Sequence, residues 1–145
     1  MSVSERHRAY LSQVALLAEE LGYNVTYLNL ENKPGEPDAI IENPKNGRIA
    51  IVEVEVTFQQ QKSHQKKIAN RWKKVQQYIN QGKDAVLLVI GARRRDLISI
   101  CKRAEKNFSV NIRPELEYGR RIFSCVSYSD QNEIRAVLLR CLGDD

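Results

Sequence analysis

The sequence has 145 residues and a net charge of +5, with 42% hydrophobic and 28% charged residues. This length suits one domain whose core needs no disulfides, and the composition excludes a disordered chain. No apolar run is long enough to cross a bilayer, the N-terminus lacks the pattern of a secretory signal, and three widely spaced cysteines indicate free thiols, so we expect a cytoplasmic protein.

Positive charge is concentrated in the middle of the chain. Residues 62–106 contain thirteen bases and three acids, whereas residues 1–61 contain five bases and nine acids. A basic block beside an acidic one is typical of a protein that attracts phosphates with one part and binds a metal with another. A solvated, lysine-rich helix surface would give the same pattern, and the counts alone slightly favour that interpretation.

Periodicity in the first part of the chain predicts a helix followed by three strands. Apolar residues at helical spacing predict a helix over residues 4–21. Residues 23–30 alternate and are rich in β-forming residues, which predicts the first strand. Two further strands, over residues 37–42 and 48–58, flank a turn at residues 43–47 and are expected to form a β-hairpin.

The remaining elements alternate between helix and strand. Apolar stripes predict helices over residues 62–81 and 93–106, and capping-box spacing predicts another over residues 130–142. The continuously apolar residues 84–90 predict a central strand covered on both faces, and residues 122–128 predict a late strand. This order predicts an α/β domain in which a central mixed β-sheet is flanked by helices.

Acidic residues in the hairpin are expected to share one face of the sheet. Successive side chains of a strand point to opposite faces, so Glu53 and Glu55 lie on one face and the neighbouring valines on the other. A two-residue turn at Asn46-Gly47 would place Asp38 opposite Glu55, and a loop two residues longer would place it opposite Glu53. Both registers bring the three carboxylates into one small patch, with opposed Cβ atoms about 5 Å apart.

Carboxylates opposed across a sheet repel each other, and the hairpin itself supplies no neutralising base at these positions. A divalent cation would relieve the repulsion, since Mg²⁺ and Mn²⁺ prefer oxygen ligands. An ion held in this way can polarise a phosphoryl oxygen and generate a hydroxide nucleophile, which is the chemistry of phosphodiester cleavage. The alternative is a strand with one solvated face, on which the glutamates simply contact water.

These residues resemble the motif of the PD-(D/E)xK nuclease superfamily, which includes many restriction enzymes and Holliday-junction resolvases. The matching pieces are Pro37-Asp38 and, on the next strand, Glu53-Val54-Glu55. The resemblance covers residues 4–91, and residues 92–145 would extend the same single nuclease-like domain. It implies a restriction-endonuclease-like core with the order αβββαβ, followed by a helix, a strand and a helix.

The resemblance also implies roles for individual residues. Asp38, Glu53 and Glu55 would be catalytic, and Asp38, Glu53 and the carbonyl of Val54 would bind Mg²⁺ or Mn²⁺. Glu55 stands where the family usually has a lysine that orients or activates the attacking water. A glutamate there is a known minority variant, which is compatible with a base or second-metal role and also with loss of the chemistry. Members often add a glutamate from the first helix; here Gln13 is near the expected distance, Glu5 and Glu20 are other candidates, and that ligand stays unassigned.

The helix after the glutamate strand is the predicted nucleic-acid surface, since no acidic residue occurs between Val56 and Lys83. We predict nucleic-acid contacts for seven bases of this helix and the next: Lys62, Lys66, Lys67, Arg71, Lys74, Arg93 and Arg94. Lys66 or Lys67, near the start of the helix, could stand in for the missing lysine. Trp72 lies on the apolar stripe and is assigned to the core, and a lone histidine such as His64 is more often structural than substrate-binding.

Three functions remain open from the sequence. The first is a metal-dependent endonuclease that hydrolyses phosphodiester bonds in double-stranded or branched DNA, expected as a homodimer because two scissile strands need two sites. The second is a catalytically inactive nucleic-acid-binding module of the same fold. The third is a structural protein in which the glutamates form a solvated sheet face.

Overall fold

The computed structural model describes residues 2–28, 36–55, 62–91, 94–108, 123–127 and 130–143. Its helices are α1 (Val3–Glu20), α2 (Lys62–Asn80), α3 (Arg94–Phe108) and α4 (Gln131–Leu142), and its strands are β1 (Asn24–Tyr27), β2 (Ala39–Glu42), β3 (Ile49–Glu55), β4 (Ala85–Gly91) and β5 (Phe123–Ser127). Each predicted element is present with ends shifted by a few residues. The predicted strand ends at 29–30 and 56–58 lie outside the described residues.

The strands form one mixed sheet in the order β1-β2-β3-β4-β5. The β1–β2 and β2–β3 pairs are antiparallel, and the β3–β4 and β4–β5 pairs are parallel. Parallel neighbours need a crossover, which α2 supplies between β3 and β4 and α3 supplies between β4 and β5. Every residue of β3 and β4 is buried, and both-face coverage was predicted for β4 alone. The expected α/β architecture with a mixed sheet between helices is therefore confirmed.

Each face of the sheet has its own hydrophobic core. On one face, Val52 and Val54 of β3 pack with residues of α1 and α4. On the other face, Ile49 and Ile51 of the same strand pack with residues of α2 and α3, among them Trp72. The alternation of β3 thus follows the predicted parity, and Trp72 belongs to the core as expected. Full burial of one such large side chain contributes about 1.5–3 kcal/mol to folding.

The hairpin between β2 and β3 takes the longer of the two predicted loops. The N–H of Asn43 donates to the carbonyl of Arg48 at 3.0 Å, and the N–H of Gly47 donates back to the carbonyl of Asn43 at 2.8 Å. Ala39 is the register partner of Val52. This register directs Asp38 toward Glu53 rather than toward Glu55.

The hairpin turn also caps the C-terminal end of α4. The side-chain amides of Asn43 and Asn46 donate to the carbonyl of Leu142 at 2.7 and 2.9 Å, and Arg48 donates to the carbonyl of Gly143. Terminal helix carbonyls have no partner within their own helix, so these contacts satisfy them. At its other end, α4 is capped by Asp130, whose carboxylate accepts from an N–H of the first turn at 3.0 Å. Within the described part of the chain, no helix has the length and apolar character needed to span a membrane.

Candidate functional site

Asp38 is fixed at the end of the hairpin next to β3. Its side chain is fully buried, its N–H donates to the carbonyl of Val52 at 3.1 Å, and its Oδ2 accepts from the N–H of Val54 at 2.8 Å. Because β2 begins only at Ala39, this carboxylate supplies the acceptor that another β2 residue would otherwise provide to Val54. The hydrogen bond leaves Asp38 beside Glu53, close enough that its charge raises the pKa of the Glu53 carboxyl.

Glu53 and Glu55 point to the α2 side of the sheet and are buried, with exposed fractions of 0% and 6%. A solvated glutamate face is therefore excluded. Burial of an ionised carboxylate carries a large free-energy cost unless a partner charge or hydrogen bond compensates it. The compensating groups come from α2, which was predicted from sequence to be the nucleic-acid surface.

Arg71 is the most tightly held of these partners. Its Nε donates to Glu53 Oε1, and its Nη2 donates to the carbonyl of Glu36 at 2.6 Å. The Arg71 side chain is buried. Arg71 was among the residues predicted to contact nucleic acid, but its guanidinium is committed to the interior of the site instead. The reason is electrostatic, since Glu53 needs a cation where the hairpin offers none.

Lys67 lies between the two glutamates. Its Nζ is 3.5 Å from Glu53 Oε2 and 3.6 Å from Glu55 Oε1, and 25% of its side chain is exposed. Burial by itself would lower the pKa of Lys67, but the three neighbouring carboxylates outweigh this and raise the pKa above its ordinary value. The ammonium is therefore charged at neutral pH. Lys67 thus supplies positive charge from the helix, beside Glu53 and Glu55.

Two histidines complete the cluster, one from each face of the sheet. His7 Nε2, on α1, lies 3.1 Å from Asp38 Oδ2, and His64 Nδ1, at the start of α2, lies 3.4 Å from Glu55 Oε2. The sequence predicted no role for His7. The helical spacing could have indicated that His7 points inward. His7 precedes the buried Leu11 by four residues and therefore lies on the inward face of α1.

The three carboxylates share one pattern of partners. In each, one oxygen is held by the protein, as described for Asp38 Oδ2, Glu53 Oε1 and Glu55 Oε2. The other oxygen is buried and accepts no hydrogen bond from the described residues. Buried polar atoms without partners are rare in native proteins, and an unrecorded ion or water is a usual explanation.

The charge state of Glu53 depends on these surroundings. Burial, and then the charge of Asp38, raise its pKa from 4.5 to about 8, and the two nearby cations do not cancel this effect. The carboxyl is thus largely protonated near neutral pH without a further cation. An additional positive charge close to it would favour the ionised form.

The expected set of three carboxylates around one ion is not found. Among the described residues, no group of three acidic, histidine or cysteine side chains is arranged to hold a metal ion. The physical reason is that Glu55 is paired with His64 and Lys67 of α2, whereas Asp38 is tied to the backbone of β3. Asp38 and Glu53 remain as the adjacent pair.

The exposed bases lie around the start of α2 and along α3. Of the predicted nucleic-acid contacts, Lys62 and Lys66 are exposed and Lys74 is partly exposed, while Arg93 lies outside the described residues and Arg94 begins α3. Within α2 and α3, four exposed bases were not among the predicted contacts: Lys73, Lys102, Arg103 and Lys106. The side-chain amide of Asn107 donates to Gln65 at 2.6 Å, which joins the end of α3 to the start of α2. This contact places Lys106, at the end of α3, near the start of α2, which also carries Lys66 and Lys67.

Comparison of the chain with protein-family models, with curated proteins and with solved structures finds no match.

Proposed function

We propose that this protein is a metal-dependent endonuclease that hydrolyses phosphodiester bonds in DNA, built on a restriction-endonuclease-like core of the PD-(D/E)xK type. The observation that carries the proposal is the pair of buried, unpartnered oxygens Asp38 Oδ1 and Glu53 Oε2. They belong to neighbouring carboxylates on adjacent strands, and each carboxylate is fixed through its other oxygen. Such fixed carboxylates, each with one free oxygen, suit a hard divalent cation.

The donor set fits Mg²⁺ or Mn²⁺. Mg²⁺ is commonly held by one or two carboxylates, with water and substrate phosphate completing its shell, so a third acidic side chain is unnecessary. Asp38 and Glu53, with the carbonyl of Val54, would hold the ion. When bound, it supplies Lewis acidity that polarises a phosphoryl oxygen and lowers the pKa of a water molecule.

Residues of α2 would stabilise negative charge on the phosphate and transfer protons. Lys67 Nζ carries a permanent charge at neutral pH and can neutralise a non-bridging phosphate oxygen. Glu55 Oε2 orients His64 through Nδ1, which leaves the His64 Nε2 atom to exchange a proton with the attacking or leaving oxygen. The role of the family lysine would therefore pass from position 55 to Lys67, and Glu55 would position His64.

The surrounding charge fits a polyanionic substrate. Lys62 and Lys66 are exposed within the first turns of α2, beside His64 and Lys67. Exposed bases of α3, including Lys106, extend the same surface. Lysines that neutralise backbone phosphates give strong, salt-dependent affinity without sequence preference. Cutting both strands of a duplex would need two such sites, so we propose a homodimer as the active form, which sedimentation with and without DNA tests.

The decisive experiment is a cleavage assay on duplex, single-stranded and branched DNA with Mg²⁺ or Mn²⁺. Cleavage should require the metal and be lost in Asp38→Asn and Glu53→Gln. A matched control is Glu42→Gln, the same kind of change on β2 outside the site, which should retain activity. Absence of cleavage on all three substrates with either metal would refute the enzymatic proposal.

A second candidate is an inactive nucleic-acid-binding module of the same fold. It is favoured by the observation that every buried carboxylate already has a cationic or histidine partner within the chain. The cluster would then be structural. This candidate predicts metal-independent, salt-sensitive DNA binding that survives Asp38→Asn and weakens in Lys66→Ala.

A further inference from the structure

Lys67 occupies an unusual position in the carboxylate cluster. Its Nζ lies 3.5 and 3.6 Å from Glu53 Oε2 and Glu55 Oε1, and both oxygens are buried without a hydrogen bond from the described residues. A charge-assisted hydrogen bond between an ammonium and a carboxylate is usually about 2.7–2.9 Å long. The ammonium therefore neutralises both oxygens without being bonded to either.

A divalent cation on Glu53 Oε2 would compete with this ammonium. The oxygen that lies nearest to Lys67 is the same one that Glu53 has free for a metal. A metal ion at coordination distance from Glu53 would stand close to the Lys67 charge, and like charges at such a separation repel strongly away from bulk water. Either Lys67 moves away from Glu53 or an anion enters to neutralise the added charge.

The two cations on Glu53 differ in their freedom to move. Arg71 is buried and donates to both Glu53 and the carbonyl of Glu36. Lys67 is a quarter exposed, and among the described residues it makes only the two long contacts. Its unbranched side chain begins on the turn of α2 that also carries the exposed Lys66. Lys67 can therefore swing toward solvent, whereas Arg71 stays with Glu53.

We propose that Lys67 is an internal counter-ion that occupies the position of the metal in the free protein. A substrate phosphate binds the Lys67 ammonium and removes it from this position, so that metal and nucleic acid bind cooperatively. The inference rests on the proposed function, because it concerns the same metal site. In the free protein, the Lys67 ammonium lies 3.5 and 3.6 Å from Glu53 Oε2 and Glu55 Oε1 and keeps metal affinity low. In the complex, a phosphate takes the ammonium and the divalent cation takes its place. By thermodynamic linkage the metal must strengthen DNA binding by the same factor.

The test measures Mn²⁺ binding to the full chain by titration calorimetry, with and without a saturating phosphorothioate duplex that resists cleavage. For the unaltered protein, we expect the duplex to raise Mn²⁺ affinity by about tenfold or more. Lys67→Met removes the charge and retains the apolar stem. It should raise Mn²⁺ affinity of the DNA-free protein by a similar factor and largely abolish the effect of the duplex. Lys45→Met, the same change at an exposed lysine of the hairpin turn outside the site, should keep the effect of the duplex.

The outcomes separate this inference from the proposed function. Equal Mn²⁺ affinity with and without the duplex overturns the cooperativity, even if Lys67→Met does not fold, and leaves the metal site standing. Unchanged Mn²⁺ affinity in folded Lys67→Met also overturns it. Absence of Mn²⁺ binding to every protein, with or without the duplex, overturns the metal site and the inference together.

Discussion

The carboxylate of Asp38 accepts a hydrogen bond from the backbone N–H of Val54 at 2.8 Å, and both groups are buried. The bond ties the end of one strand to the residue between the two glutamates of the next. It directs Asp38 Oδ2 to the backbone and leaves Oδ1 without a partner among the described residues. A single hydrogen bond therefore sets both the local stability and the orientation of the proposed metal ligand.

The first prediction separates these two contributions of Asp38. Asp38→Asn keeps an oxygen for Val54 N–H and should change the free energy of unfolding little, while it removes metal binding and cleavage. Asp38→Ala also leaves the N–H buried and unsatisfied, which should cost about 1–3 kcal/mol more. Urea unfolding in EDTA measures the difference. Equal unfolding free energies for the two variants would show that the hydrogen bond contributes nothing to stability.

The second prediction concerns pH and the metal-free protein. The pKa of Glu53 is about 8 in the folded chain against an ordinary 4.5. Between these values the unfolded chain loses this proton and the folded chain keeps it, so stability should fall as pH rises through the window and level off above it. The slope approaches about 1.4 kcal/mol per pH unit. Lys67 does not contribute here, because its raised pKa lies above its ordinary value of 10.5.

Urea unfolding in EDTA at several values between pH 5 and 8 tests this dependence. Glu53→Gln has no titrating carboxyl and should lack the Glu53 part of the slope. Glu42→Gln, on the same hairpin, is the matched control and should retain it. An identical slope in the unaltered protein and in Glu53→Gln would contradict the raised pKa.

The third prediction distinguishes buried from exposed bases on α2. Above pH 8, where Glu53 is ionised, Arg71→Met breaks a buried ion pair and should destabilise the protein by about 3–5 kcal/mol, because Glu53 loses its closest cation. Lys66→Met changes an exposed side chain and should alter stability by less than about 0.5 kcal/mol. It should instead reduce the salt dependence of DNA binding by about one phosphate contact. Reversed effects, with Arg71 important only for DNA, would contradict the placement of its guanidinium.

The fourth prediction concerns the two histidines. His7 contacts Asp38, a proposed metal ligand, and groups that orient a ligand typically contribute about 10–100-fold to metal affinity. His7→Phe should therefore weaken Mn²⁺ binding by a factor in this range. His64→Phe, which changes the partner of Glu55, should leave Mn²⁺ affinity nearly unaltered and slow cleavage. Similar Mn²⁺ affinities for the two variants would argue against a selective role for His7.

Strand parity made much of the site predictable from sequence. The period of two in β3 places Glu53 and Glu55 on one face, and either hairpin register adds Asp38 to that face. The inward orientation of the Arg71 side chain was harder to predict from sequence. On a lysine-rich helix, a base that pairs with a buried acid looks the same in sequence as the exposed bases around it. A signal existed, since Lys67 and Arg71 are four residues apart and lie next to the apolar stripe containing Ile68 and Trp72.

The length of the hairpin loop could not be predicted locally. Asn46-Gly47 suits a two-residue turn as well as it suits the observed loop. The choice depends on Asn43 and Asn46, whose amides donate to the carbonyl of Leu142 almost one hundred residues away. Local sequence patterns carry no information about that contact, so the sequence leaves both hairpin registers open.

The same cap has a consequence for how the protein acquires its site during folding. A hairpin is normally a local structure that forms early, but here its register is selected by the last helix of the domain. Contacts between residues so distant in sequence close large loops and form late. Before α4 docks, the hairpin can sample the tighter turn, in which Asp38 faces Glu55. Docking of α4 would then favour the longer loop, in which Asp38 lies next to Glu53.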